Sequence, residues 1–249
     1  MIWYFKSNAI IKIMIAKDVT DDLNYFADKK KAKLLSGFFK TGKGEYGEGD
    51  IFIGIVVPNQ RIVAKKYKEL ALPEVQILLT SKIHEHRLTG LFILTYKFLG
   101  ADEKLKKEIV NLYLKNTKNI NNWDLIDLSS VEILGEYFLV NPKYKKILYK
   151  FSESKSLWEK RISIISTFTF IRNCQFEDSL KIAETLLHDK EDLIQKAVGW
   201  MLREIGKRDL KVEENFLDKH YKTMPRTMLR YAIEKFSIEK RKHYMLKTS

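Results

Sequence analysis

The chain has 249 residues, 45 Lys and Arg against 32 Asp and Glu, and a formal charge of +13. Such an excess draws polyanions through long-range attraction and counterion release, which makes nucleic acid the leading partner class and a merely lysine-rich solvated surface the alternative. A hydrophobic content of 45% excludes a disordered chain, and Cys174, the single cysteine, excludes an intrachain disulfide framework or a thiolate metal cluster and fits a cytoplasmic protein.

The opening MIWYFKSNAIIKIMIAKD is apolar in patches, but Lys6 and Lys12 interrupt it. It predicts a capping helix and neither a signal peptide nor a membrane span. Residues 41–50, TGKGEYGEGD, form a flexible acidic loop with a formal GxGxxG at Gly42, Gly44 and Gly47. A dinucleotide fingerprint needs a strand before it and a helix opening from it, and neither pattern is present. Residues 51–57 predict an extended entry into a helix from Pro58, since one strand without a partner is unstable.

His84-Glu85-His86 resembles metal chemistry, yet the two histidines are two apart, whereas a helical zinc site needs them four apart. The expectation is a solvated helix start with no metal and no cofactor. Beyond it, apolar residues recur at helical spacing, as at Ile109, Leu112 and Tyr113. Breaks at 81–85, 100–102, 119–122, 141–142, 173–176, 189–192, 208–211 and 224–225 delimit helices of about 11 to 19 residues. Paired as hairpins starting near Asp102, Lys143, Glu177 and Lys211, they recur at intervals of 41, 34 and 34 residues. That period predicts an all-α, right-handed α-α superhelix of HEAT-like hairpins, with a non-repetitive bundle as the alternative. The whole of 1–249 reads as one domain, with N-terminal capping helices and the Gly-rich loop over 1–57 and repeats over 58–249. No exposed heptad suggests a dimer, so a monomer is expected.

Three tryptophans stand in these helices with a charged residue one turn on: Trp123 with Asp127, Trp158 with Arg161, and Trp200 with Arg203. At that offset each pair shares a helix face, so the three helices are expected to present a carboxylate, two guanidiniums and flat indole surfaces, Trp158 among them, to a charged, sugar-bearing polymer such as DNA. In NNWDLIDLSS, residues 121–130, Asn121 or Asn122 can cap the helix and Asp124 favours its positive end. Asp127 lies a turn deeper, where capping does not need it; it is either a carboxylate held against an aromatic wall or an ordinary surface or ion-pair residue. In LWEKRISIISTF, Trp158 and Ile162 face the core, and Arg161 can orient Asp127 or grip a nucleic-acid backbone. Lys196, Trp200, Arg203 and Lys207 follow an i, i+4, i+7, i+11 stripe, so the cations either track phosphates beside the indole or solvate the flanks of a core Trp. Gly199 within that stripe marks a place of close approach. Arg226, Arg230, Lys235, Lys240, Arg241 and Lys242 form a phosphate-binding rim or a solvated face.

Together, residues 38–67 (FFKTGKGEYGEGDIFIGIVVPNQRIVAKKY), 121–130, 157–161 (LWEKR) and 194–207 (IQKAVGWMLREIGK) resemble the AlkD-type DNA alkylation repair family, HEAT-like-repeat DNA glycosylases that remove alkylated purines. The resemblance covers most of the chain. It implies an enzyme acting on 3- and 7-alkylated purines in double-stranded DNA without base flipping, and with no lysine nucleophile assigned a monofunctional one that leaves an abasic site is expected. It also implies Trp123 and Trp200 against the deoxyribose, Asp127 at the anomeric carbon, and Arg161 and Arg203 on the DNA backbone. Asp192 and Leu193 depart from an aromatic pair found in some members. The alternative is a non-catalytic DNA-binding, lesion-sensing or scaffold module on the same fold.

Overall fold

The structure, a computed structural model, describes residues 14–246; most of the expected N-terminal capping segment lies outside them. In chain order the helices are α1 (Ala16–Asn24), α2 (Lys29–Phe38), α3 (Val57–Lys66), α4 (Leu72–Leu79), α5 (His84–Leu99), α6 (Glu103–Lys115), α7 (Trp123–Asp127), α8 (Glu136–Val140), α9 (Lys146–Ser152), α10 (Leu157–Ser166), α11 (Phe168–Arg172), α12 (Glu177–Thr185), α13 (Asp192–Gly206), α14 (Leu210–His220), α15 (Arg226–Ala232) and α16 (Ile238–Met245). The fold is all-α. Among the described residues the only β pairing is an isolated parallel bridge between Ile51 and Ile83.

The eight predicted breaks all separate helices, because each carries a cap or a helix stop. Asp102 accepts from the Leu105 amide at 2.8 Å, Asn122 from the Trp123 amide at 2.8 Å, and Asp209 from the Val212 amide at 3.1 Å. Several helices are shorter than expected. Thr167 interrupts what reads as one helix, its hydroxyl bonding back to the Ile164 carbonyl at 2.7 Å, so that α10 and α11 are separate. Residues Val131–Gly135 form a wide turn ahead of α8, and Thr169 of α11 donates to the Val131 carbonyl at 2.9 Å. Helices pack chiefly as neighbours: α3 and α4 on α5, α9 on α10, α10 on α13, and α13 on α14 and α15. Their apolar faces merge into one core running from Ala16 to Tyr244. No described helix is long and apolar enough to cross a membrane.

The expected solvated start at His84-Glu85-His86 is wrong: all three side chains are buried. The reason is the extended segment before α3, whose amides have no strand partner. The Glu85 carboxylate accepts from the amides of Ile53, Gly54 and Ile55 at 2.8–3.2 Å. His84 lies between two carboxylates, Nδ1 at 2.9 Å from Asp50 and Nε2 at 2.8 Å from Asp124. His86 Nδ1 meets the Ser81 hydroxyl at 3.1 Å. Among the described residues no cluster of three or more His, Cys, Asp or Glu is arranged to hold a metal ion.

Candidate active site

The short helix α7 sets the site. Asn122, wholly buried, caps it, Trp123 is its first residue, and Asp127, one turn later, stands on the same side as Trp123. Trp123 is walled by Phe38 in edge contact at 5.9 Å and by Phe39 at 5.1 Å, and its indole Nε1 donates to the Tyr46 hydroxyl at 3.3 Å. Tyr46 comes from the Gly-rich loop. That loop is folded tightly: the Gly47 amide bonds the Lys40 carbonyl at 3.0 Å, and a Cβ at Gly47 would collide with the Phe39 carbonyl. The GxGxxG glycines therefore serve a turn that brings a tyrosine to Trp123, and no phosphate cradle follows from them.

Asp127 is held by Arg161 through two parallel hydrogen bonds, Nε to Oδ1 at 2.9 Å and a terminal nitrogen to Oδ2 at 2.7 Å. The second terminal nitrogen of Arg161 donates to the Leu193 carbonyl at 2.7 Å. One buried guanidinium thus ties α7, α10 and the start of α13 together. Burial pushes the Asp127 carboxyl above its ordinary value, the Arg161 charge pulling against this and Asp124 adding a smaller upward push.

Across from α7, α13 presents Trp200, half-buried, with its Nε1 on Glu204 at 3.3 Å and Phe168 at 6.0 Å. Gly199 is required by packing inside the chain: a Cβ there would strike the Met228 carbonyl and the Tyr231 side chain, so what approaches closely is α15.

These elements enclose an open cleft of about 620 Å³. Trp123, Asp127, Arg161, Lys196, Trp200 and Arg203 all line it; Lys207 and Trp158 do not. Lys207 follows the last residue of α13 and turns to Glu204 at 2.6 Å. Trp158 packs on the core behind the cleft, its ring edge-on to Tyr46 at 6.1 Å. Sequence reasoning missed Phe38, Lys40, Tyr46, Leu157, Glu191 and Tyr231 as lining residues. Phe38, Lys40 and Tyr46 lie in the FFKTGKGEYGEGD segment and Leu157 in LWEKR, which carried a resemblance without a role for these residues, and nothing in the sequence marked Glu191 or Tyr231.

The cleft is less basic than the sequence implied. Arg161 is spent on Asp127, Lys196 pairs with Asp192 at 2.7 Å, and Arg203 pairs with Glu234. Lys40 is the lining cation that makes no ion pair among the described residues. On the C-terminal rim, Lys240 pairs with Glu214, and Arg226 donates to the Met245 carbonyl at 2.6 Å.

The sequence model of the DNA alkylation repair enzyme family matches residues 19–236, spanning every cleft residue named above. The chain belongs to that family. No curated protein matches it significantly in sequence. A solved structure, a predicted DNA alkylation repair enzyme from Enterococcus faecalis, shares the fold of this family member at a TM-score of 0.68 and 14% identity, covering 85% of this chain and 97% of that one.

Proposed function

We propose that the protein is a monofunctional DNA glycosylase that hydrolyses the N-glycosidic bond of cationic 3- and 7-alkylated purines in double-stranded DNA and leaves an abasic site. The observation that carries this reading is the Asp127 carboxylate, set in an open cleft with Trp123 and Trp200 and clamped by Arg161.

The chemistry suits those groups. An alkylated purine with a positive charge takes the bonding pair as it leaves and becomes neutral, so no general acid is needed. The sugar left behind is oxocarbenium-like. An adjacent carboxylate and two indole faces stabilise that cation, and water adds to C1′ as the bond to the base breaks. The water proton passes to Asp127 or to solvent. A carboxyl raised by burial is a better base than an exposed Asp while remaining ionised when the pH lies above its pKa. An open cleft, in place of a closed base pocket, suits a reaction in which the lesion stays in the duplex.

A second reading is favoured by one observation. Asp127 and Arg161 satisfy each other, as a purely structural ion pair would, and a DNA-binding or lesion-sensing module needs no more than that. Base release from duplex DNA containing 7-methylguanine separates the two. Excision above a no-enzyme control that disappears in Asp127→Asn supports the glycosylase; binding without release of any alkylpurine supports the module.

A further inference from the structure

Helix α2 is anchored at both ends and buried nowhere along its length. Asp28 caps its first turn, accepting from the Lys30 and Lys31 amides at 2.9 and 3.1 Å. The Asp28 carbonyl and Ala32 amide lie so close to Gly54 that no Cβ would fit there. Just past its end, Phe39 stacks on Phe52 at 5.0 Å and leans on Trp123. Between these anchors Leu34 is 73% and Phe38 64% exposed. Lys30, Leu34 and Phe38 follow at i, i+4 and i+8, so they form one ridge. That ridge runs into the cleft, where Phe38 lies edge-on to Trp123.

Two further observations point outward from this ridge. Residues 29–43 hold six lysines and no acidic residue. Only Lys31 is paired, with Asp28 at 3.4 Å; Lys29, Lys30, Lys33, Lys40 and Lys43 are exposed and form no ion pair among the described residues. Lys40, the cleft's own unpaired lining cation, thus continues a run of free charge on α2 and the turn after it, while the arginines and lysine of the opposite wall are neutralised. The second observation is Gly37. It sits inside the helix, exposed, and a Cβ there would meet nothing within 4 Å. Glycine lowers helix stability relative to alanine, and no internal contact requires it here.

We propose that α2 and the turn to Lys43 are the seat of the DNA backbone beside the cleft, with Lys30, Lys33 and Lys40 on successive phosphates, the backbone approaching closely over Gly37, and Phe38 stacking against a base at the cleft mouth. The partner chemistry follows from the side chains. Five unpaired cations without an interleaved acid call for a polyanion, and an exposed aromatic ring continuous with an indole calls for a flat π-surface in the same ligand. Duplex DNA supplies both, its phosphates along the strand and a base face where one base step opens beside the lesion for the ring to enter. The inference rests on the DNA-binding part of the proposed function and is independent of the excision step.

The test is binding of the full chain to duplex DNA across a salt series, with and without 2-aminopurine next to a modified purine. The double variant Lys30→Gln/Lys33→Gln is expected to weaken binding at least tenfold and to lower the slope of log K against log salt by nearly two units. Gly37→Ala is expected to raise the Tm while weakening DNA binding, a combination that a structural role would not produce. Phe38→Ala should leave the salt slope unchanged and abolish the 2-aminopurine fluorescence change. An unchanged slope in the lysine variant, or full affinity in Gly37→Ala, overturns the assignment, as does binding of the helix to anionic phospholipid vesicles in preference to DNA. If the wild-type chain binds DNA with these responses but excises nothing, the glycosylase reading fails and this one stands.

Discussion

Asp127 and Arg161 meet through two parallel hydrogen bonds at 2.9 and 2.7 Å, 34 residues apart in sequence and on helices α7 and α10. A planar guanidinium fixes the plane of the carboxylate it grips, so the pair orients Asp127 as well as charging it. The remaining terminal nitrogen on the Leu193 carbonyl locks the same group to α13, which carries Trp200. Arg161, which the family resemblance set on the DNA backbone, has its guanidinium on Asp127 and the Leu193 carbonyl in this structure, and under the proposed function it acts as a positioning residue for the carboxylate.

Asp127→Asn keeps the shape of the side chain and removes its charge. If the carboxylate stabilises the sugar cation, single-turnover excision of 7-methylguanine should fall by roughly 100-fold or more. DNA affinity should hold or rise, because a repulsion toward phosphate is also lost. Affinity lost together with activity would mark Asp127 as a structural residue.

Excision should decline on acidification through a pKa above that of an ordinary Asp, since burial raises Asp127 and the reactive form is ionised. Arg161 opposes that rise. Arg161→Gln should therefore move the acid limb to higher pH in addition to slowing the reaction. A rate profile measured against a no-enzyme control at each pH checks this; a limb that stays in place or moves down refutes the positioning role.

Helix limits were readable from local chemistry. Asp102, Asn122 and Asp209 are caps whose partners lie within three residues, so the signal and the structure occupy the same window. What escaped the sequence depends on distant partners. The polarity of Glu85 reads as surface because the amides it serves, Ile53 to Ile55, are some thirty residues earlier. Arg203 reads as free charge because Glu234 belongs to a later segment, whereas the partners of Lys196 and Lys207, Asp192 and Glu204, stand within one turn and were legible in the sequence. Phe38 and Tyr46 join Trp123 only after the Gly-rich loop closes, and no periodicity records a loop closure. The break at Thr167 was missed because a threonine in an Ile-rich helical pattern does not announce whether its hydroxyl bonds back to the preceding turn, here to the Ile164 carbonyl.

Glu213 lies buried against Gly206, with one carboxylate oxygen lacking a hydrogen-bond partner. Burial and the neighbouring Glu214 push its carboxyl up to about 8, Arg203 pulling the other way. A carboxyl raised in the folded state favours the protonated form, so the fold is unpenalised below the unfolded value near 4.5 and loses stability as pH climbs toward 8. Glu213→Gln should abolish that decline and stabilise the protein at pH 8 by on the order of 3 kcal/mol. Urea unfolding at pH 5 and pH 8 measures it; a wild-type chain equally stable at both would refute the assignment.

His84 bonds a carboxylate at each ring nitrogen, and a ring that donates from both nitrogens must carry both protons. Burial alone would lower its pKa, but Asp124 and Asp50 outweigh this and hold it above its ordinary value. The Phe52 ring stacks on it at 4.4 Å, Phe39 lies at 5.3 Å, and Arg87 shares Asp50. This imidazolium joins the end of the Gly-rich loop, at Asp50, to α7, at Asp124. A histidine raised on folding contributes its stability in full below the unfolded pKa near 6.5 and loses it as pH rises through the folded value. His84→Gln keeps at most part of the hydrogen bonding and none of the charge. It should lower the Tm most at acidic pH, with the gap to wild type narrowing in alkali, and should loosen Tyr46 from Trp123. Thermal melts across pH, with Trp123 fluorescence followed in a chain whose other tryptophans are replaced by Phe, report both effects. A stability difference independent of pH would mean that His84 is neutral and that the clamp works by packing alone.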